Sequence, residues 1–267
     1  MVLIEPARAL WKHRVLAFRL AQREVAARWK GSFLGPFWTV VTPLFMLAVY
    51  TFVFATIFQR KWTTLPGETP PFSLVLFTGL IPFQLFAETA NSSAAVVQGN
   101  TSFVKQVVFP LEILPFVNLL VAMFHAAISA LVLLLGYFVL VGVPPATALW
   151  IPLIALPLPF FALGLGWLLA ALGAYMKDTV HLTTMCTSVL LFLSPVFYSL
   201  DSVPASYRSI VRWNPLTTIV NDGRAAVFFR EAPQLIPLAV TLLAALVVFE
   251  IGFRFFRQAK EGFADVV

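Results

Sequence analysis

The sequence predicts an all-α polytopic membrane protein with six transmembrane helices, and three observations carry that expectation. First, 60% of its 267 residues are hydrophobic and only 11% are charged, against about 25% charged in an ordinary soluble domain. Second, the mean hydropathy of +0.90 is concentrated in runs near the roughly 20 apolar residues that a helix needs to cross a bilayer. Third, the runs are separated by short breaks such as Gly142 to Pro145 and Lys177-Asp178. The lone Cys186 leaves no intrachain disulfide to form. The long basic N-terminal segment is unlike a cleavable signal peptide, so the mature chain is expected to begin near Met1.

Residues 7–30 read as a helix lying in the headgroup layer. Trp11, Val15, Phe18, Val25 and Trp29 form one stripe, with Arg8, Lys12, Arg19, Arg23 and Lys30 beside it. That pattern suits rings buried in the interface and basic side chains reaching anionic lipid. Leu16 and Leu20 are left to pack on neighbouring spans. The first span, 31–58, is approached through Gly35-Pro36, carries Pro43, and ends at a polar, proline-rich turn over 59–71.

The second span, 72–97, is apolar in its first half and holds Glu88, Thr89, Asn91, Ser92 and Ser93 in its second. Polar groups at membrane depth are costly, so this half is expected to face protein or water. The stretch 100–115, NTSFVKQVVFPLEILP, is too short to span. Phe103, Val107, Val108, Leu111 and Leu114 recur in it at spacings of three and four, one apolar helical face. On spacing alone it is either an interfacial loop folded on its own bundle or a docking surface. The third span, 114–143, carries Asn118 and His125, and the fourth, 150–176, has Gly164, Gly166 and Gly173 for close helix contact. The fifth is 180–198 and the sixth 235–256. Between them, 207–213 and 216–229 are broken at Asn214-Pro215 and each carries arginine, which points to short interfacial or re-entrant helices.

With six spans both termini lie on one side. That side holds Arg8, Lys12, Arg14, Arg19, Arg23, Arg28, Lys30, Lys105, Lys177, Arg254, Arg257 and Lys260. The other holds Arg60, Lys61, Arg208, Arg212, Arg224 and Arg230. The positive-inside bias makes the termini and the 100–115 stretch cytoplasmic. The net charge of +6 is thereby explained by topology, with no nucleic acid partner expected.

No glycine is followed by lysine, so the phosphate loop G-x-x-x-x-G-K-[ST] is absent and nucleotide hydrolysis would belong to another polypeptide. Intramembrane ionisable groups are candidates for ion coupling. Glu250 is expected to pair with Arg254 one turn on, His125 to be a hydrogen-bonded core residue, and Glu88 to be solvated by its Asn and Ser neighbours while remaining the candidate for proton coupling. Asp178 and His181 lack a third ligand, so no metal is expected, and Asp178 reads as a helix N-terminal acid. No acid pair or nucleophile with a base suggests a membrane hydrolase or glycosyltransferase. The 27 Phe, 7 Trp and 5 Tyr are either lipid-facing bulk or a lumen on which sugar faces stack.

Five segments in order, REVAARWKGSFLGPFWTVVTPLFMLAVYTFVF (23–54), FTGLIPFQLFAETANSSAAVVQGNTSFVKQVVFPLEILP (77–115), SPVFYS (194–199), NPLTTIVNDGRAAVF (214–228) and the terminal FADVV, resemble the membrane subunits of bacterial ABC-2 type exporters. The similarity extends over nearly the whole chain. Within that family it is greatest to permease subunits of polysaccharide exporters of the O-antigen, capsule or teichoic acid type. The resemblance implies a homodimer bound to two copies of a cytoplasmic ABC ATPase, which would hold ATP and Mg, with no cofactor in this chain. It implies a lipid-linked polysaccharide, foremost O-antigen, moved across the bacterial inner membrane through a channel between the permeases.

By the same resemblance, 1–32 is an N-terminal cytoplasmic amphipathic interface helix, 33–256 the six-helix transmembrane domain and 257–267 a cytoplasmic tail. Within the domain, 100–115 resembles a coupling helix, with Lys105, Gln106, Val107, Phe109, Pro110, Leu111 and Glu112 toward the ATPase. Arg23, Arg28 and Lys30 suit a lipid diphosphate because they carry fixed positive charge. Residues 200–232 resemble a periplasmic gate segment, represented by Trp213, Asn214, Pro215 and Arg224. Trp38, Tyr50, Phe54, Phe192, Phe197 and Tyr198 are the candidate channel rings. Two other functions remain compatible with these residues: an ABC-2 exporter of a drug or lipid, and an ion-coupled flippase of lipid-linked sugar working through Glu88.

Overall fold

The computed structural model describes residues 4–33, 35–57, 70–104 and 109–266, and every regular element among them is helical. Helices α1 (Ile4–Lys12) and α2 (Arg14–Arg28) come first, followed by α3 (Trp38–Tyr50), which runs on into a wide π turn, Thr51–Ile57. Then come α4 (Phe72–Ala95), the one-turn α5 (Thr101–Val104), α6 (Ile113–Leu140), α7 (Ile151–Ala155) and α8 (Pro157–Tyr175). The chain closes with α9 (Thr179–Leu193), α10 (Ala205–Trp213), α11 (Pro215–Arg224), α12 (Leu235–Ala259) and α13 (Phe263–Val266).

Five described stretches are long and apolar enough to cross a membrane: Gly35–Phe54, Phe72–Ala95, Ile113–Leu140, Ala146–Tyr175 and Leu235–Gly262. The expected fifth span is not among them. Its helix, α9, has 15 residues, about 22 Å at 1.5 Å per residue, whereas the hydrocarbon layer is about 30 Å thick. Helix α9 stops because Ser194 precedes Pro195, a position that disfavours the α conformation, and Ser194 is extended at φ −87°, ψ 144°.

Helix α4 is the centre of the bundle, packed on by α6, α8, α9 and α11. Leu74, Val75, Leu76 and Phe77 are buried consecutively, so this helix has no lipid-facing side over that turn. Its polar half meets protein, as expected from the cost of polar groups in lipid. Thr89 and Ser93 are fully buried. Thr89 Oγ1 donates to the Leu85 carbonyl at 2.8 Å, and Asn91 Nδ2 donates to Thr187 Oγ1 of α9 at 3.2 Å.

Helices α8 and α12 cross in direct backbone contact. A Cβ on Gly164 would fall 2.6 Å from Phe249 Cα, and one on Gly252 would fall on the Gly164 carbonyl oxygen. Trp167, buried completely, fills the space beside this crossing between the Phe249 and Phe253 rings at 5.1 and 5.0 Å. Small residues thus serve here as the sequence suggests, by letting two backbones approach closely enough for dispersion to hold them.

The interface helix is not one piece. His13, at φ −107° and ψ 15°, separates α1 from α2. Helix α2 rests on α6 through Ala17 and Ala21, which meet Ile113, Val117 and Val121, with Leu20 packed alongside. Trp11, Val15 and Phe18 are exposed, as an interfacial helix in contact with lipid would leave them.

Candidate functional site

The two small side chains that set α2 close to α6 also open a groove along its flank. The groove has a volume of about 470 Å³ and lies between α2, α4 and α6. Leu20, Arg23, Glu24 and Arg28 line it from α2, Ser92 and Val96 from α4, and Leu114, Val117 and Asn118 from α6. Asn100 and Phe103 close one end. The combination is amphipathic: guanidinium and amide groups stand beside an aliphatic wall supplied by the membrane helices.

Two of the residues selected for a diphosphate, Arg23 and Arg28, face this groove, and Lys30 is exposed in the turn after α2. Arg28 is already engaged. Its Nη1 lies 2.9 Å from Glu88 Oε1, and His125 Nδ1 lies 2.9 and 3.0 Å from the two Glu88 oxygens. Glu88 is therefore held by a guanidinium and an imidazole, which corrects the expectation that its Asn and Ser neighbours solvate it. His125 is hydrogen-bonded, as expected. The carboxylate contact assigns its proton to Nδ1, and its buried Nε2 has no partner among the described residues. Nothing in the sequence pairs these residues, which come from three different elements. The available signal was that each is an isolated polar group near or inside an apolar run.

This triad fastens α2 to the spans. Glu88→Gln keeps the shape but removes the charge, so Arg28 loses an ion pair in a partly desolvated place. A disulfide between Ala21→Cys and Val117→Cys reports the position of α2 directly. In the Glu88→Gln background that crosslink should form at least several-fold more slowly. An unchanged rate would show that the triad does not hold α2.

The 100–115 stretch is not one helix. Its described part is the single turn α5 followed by non-helical Phe109 and Pro110 and the turn leading into α6. Pro110 has no amide hydrogen and disfavours the α conformation at Phe109. Lys105, Gln106 and Val107, together with Val108, lie outside the described residues. Val104, Leu111 and Leu114 are buried in the chain's own core, while Phe103 and Phe109 stack with ring centres 4.4 Å apart. Glu112 also turns inward. Its Oε2 lies 2.9 Å from Lys260 Nζ, and its carbonyl accepts from Trp167 Nε1 at 2.9 Å.

On the opposite side, the two short helices form where the sequence placed them, as α10 and α11. Asn214 caps α11, its Oδ1 accepting from the Leu216 amide at 3.0 Å while its Nδ2 donates to Ser194 Oγ at 2.8 Å. Pro215 occupies the first turn, where its missing amide hydrogen is not needed. Trp213 is 87% exposed and Arg224 only 1%. Arg224 Nε donates to the Val75 carbonyl at 3.0 Å, and Nη1 and Nη2 donate to those of Pro195 and Val196 at 2.5 Å each. One side chain thereby joins α4, α11 and the segment after α9. Nearby, burial pushes the Asp222 carboxyl up to about 6, against the Gln234 amide that favours its ionised form.

The candidate channel rings fall into two groups. Tyr50 and Phe54 lie 6.4 Å apart, with Phe54 5.0 Å from Phe72 at the start of α4. Phe192 and Phe197 stack at 5.7 Å, and the Tyr198 hydroxyl donates to the Phe192 carbonyl at 3.1 Å. Trp38 stands apart from both groups and is exposed.

The chain matches the ABC-2 type transporter family over residues 16–228. It is 25% identical over 267 residues to the O-antigen export system permease protein RfbA of Myxococcus xanthus, covering 99% of this chain and 100% of that one. It is 24% identical over 249 residues to a protein of the same description from Klebsiella pneumoniae, covering 93% of each. To the polysialic acid transport protein KpsM of Escherichia coli it is 26% identical over 254 residues, covering 93% of this chain and 95% of KpsM.

Proposed function

The chain belongs to the ABC-2 type transporter family, and from that membership we propose that it is the permease subunit of an exporter that moves lipid-linked polysaccharide, foremost O-antigen, across the bacterial inner membrane. The observation that carries this reading is similarity along the whole chain to proteins described as O-antigen export permeases and a polysialic acid transporter. The chain is a non-enzymatic, multi-pass transport subunit. Its sequence lacks the phosphate loop of a nucleotide hydrolase, so the driving reaction falls to a separate ABC ATPase that holds ATP and Mg.

In this reading two permeases form the pathway, each with both termini in the cytoplasm. Helix α9, continued by the turns over 194–198, serves as a sixth crossing. Residues 100–115 meet the ATPase, through Lys105, Gln106 and Val107 among others. Glu112 contributes from behind by fixing the start of α6 to Lys260. The groove beside α2 receives the lipid-linked end of the substrate. Its aliphatic wall suits a polyprenyl chain, and Arg23, Arg28 and Lys30 suit the diphosphate. Helices α10 and α11, tied down by Arg224, border the periplasmic mouth.

A deletion in the native host tests the assignment. Loss of surface glycan, with lipid-linked glycan accumulating on the cytoplasmic face, is the expected result. Normal surface glycan combined with drug sensitivity would replace it with a drug or lipid exporter. The ion-coupled alternative rests on Glu88, whose charge is taken up by Arg28 and His125, and this geometry favours a fastening role.

A further inference from the structure

Helix α2 has a second flank, and the charge balance of the two flanks differs. On the groove already described, Arg23 lies 3.6 Å from Glu24 and Arg28 lies 2.9 Å from Glu88. On the other side of the Ala17 and Ala21 contact, a second groove of about 470 Å³ runs between α2 and α6. Arg14, Arg19 and Gln22 stand along it, and Phe18, Phe116 and Leu120 form its apolar wall. Neither Arg14 nor Arg19 has an acidic partner among the described residues. The uncompensated charge of these two flanks is therefore gathered on this side.

Arg14 is also held in place. Its guanidinium lies 4.4 Å over the Trp11 ring, and Nη1 donates to the Trp11 carbonyl at 2.8 Å. Phe116 and Leu120 are one turn apart near the start of a membrane-crossing helix, so the apolar wall leads from the interface into hydrocarbon. A soluble anion would satisfy the guanidinium groups and leave that wall to water. A lipid with a negatively charged headgroup satisfies both, through charge-assisted hydrogen bonds at one end and apolar burial at the other.

We propose that this flank binds one anionic phospholipid from the leaflet in which α2 lies, with its phosphate on Arg14 and Arg19 and an acyl chain along Phe18, Phe116 and Leu120. The lipid bridges α2 and α6 and holds the interface helix on the bundle from the side opposite the Arg28–Glu88 pair. The proposal rests on insertion in a membrane and on this geometry, independently of which cargo is exported.

The test titrates the full-length chain, purified in mild detergent, with dioleoylphosphatidylglycerol or dioleoylphosphatidylcholine and counts adducts by native mass spectrometry. The expected result is one phosphatidylglycerol per chain, bound at least tenfold more tightly than phosphatidylcholine. The double variant Arg14→Gln/Arg19→Gln should lose that preference, and Arg212→Gln, at an exposed position on α10 outside both grooves, should keep it. If the double variant does not survive extraction, Arg19→Gln alone carries the same comparison with a smaller loss. Equal retention by all variants overturns the site, as does equal loss in Arg212→Gln, which would show attraction to net charge. Displacement of the lipid by glycerol phosphate at matching concentration would likewise overturn it, because the apolar wall would then contribute nothing.

Discussion

Arg224→Met should abolish recovery of folded protein. The substitution keeps a long, flexible side chain but removes every donor, leaving the carbonyls of Pro195 and Val196 without their bonds to the guanidinium and untying this segment from Val75 of α4. Each buried polar group left unpaired costs about 1–3 kcal/mol. Two of them together are a large share of the roughly 5–15 kcal/mol that stabilises a folded domain. The site is also shaped for a guanidinium, since a Cβ on Gly79 would lie 2.7 Å from Arg224 Nη2. Arg224→Lys keeps the charge and part of the bonding, so it should retain a measurable monodisperse fraction. Size-exclusion chromatography of a fluorescent fusion reads both. Normal elution of Arg224→Met would mean that the segment after α9 is held by other contacts.

Gly252→Leu is the second large effect. Even a methyl group there falls on the Gly164 carbonyl oxygen, which belongs to the backbone of α8 and cannot rotate away. Overpacking a well-packed contact typically costs about 1–3 kcal/mol. Here the two helices must separate along their crossing, pulling Trp167 from between Phe249 and Phe253. The same assay should show a graded series, with Gly252→Ala reduced and Gly252→Leu nearly absent. Gly99→Leu, at a position with nothing within 4 Å of the added carbon, should elute as wild type. A Gly252→Leu protein as abundant as Gly99→Leu would contradict the close crossing.

These two positions also mark how far sequence reading went. Glycines in an apolar run announce a close helix contact, but the partner backbone comes from a segment more than eighty residues away and has no local signature. Arg224 could be assigned to a short helix on one side of the membrane. That it reaches three carbonyls on two other segments depends on tertiary packing, which leaves no periodicity to read. Periodicity did find the spans, the two short helices before α12 and the polar half of α4, because each of these follows from matching local hydrophobicity to bilayer or bundle. It overstated the length of α9, where the apolar run continues but Pro195 stops the helix.

The 100–115 stretch failed in an instructive way. Spacing of three and four counts apolar residues without regard to Pro110, and it assigns to one helix residues that lie on either side of a break. Leu111 and Leu114 enter the chain's own core, and Glu112 turns to Lys260. The groove beside α2 was legible only in part. Arg23 and Arg28 could be selected by charge, whereas the Ala17 and Ala21 contact that creates the groove involves residues too small to stand out in a pattern.

The central claim is that this chain provides the path and a separate ATPase provides the energy. It is tested most directly in proteoliposomes containing the purified chain, with and without an ABC ATPase from the same host, supplied with lipid-linked glycan and ATP. The account predicts no ATP hydrolysis by the chain alone, and ATP-dependent movement of glycan to the opposite leaflet when both proteins are present. Robust hydrolysis by the chain alone, or glycan movement that needs no ATPase, would contradict it.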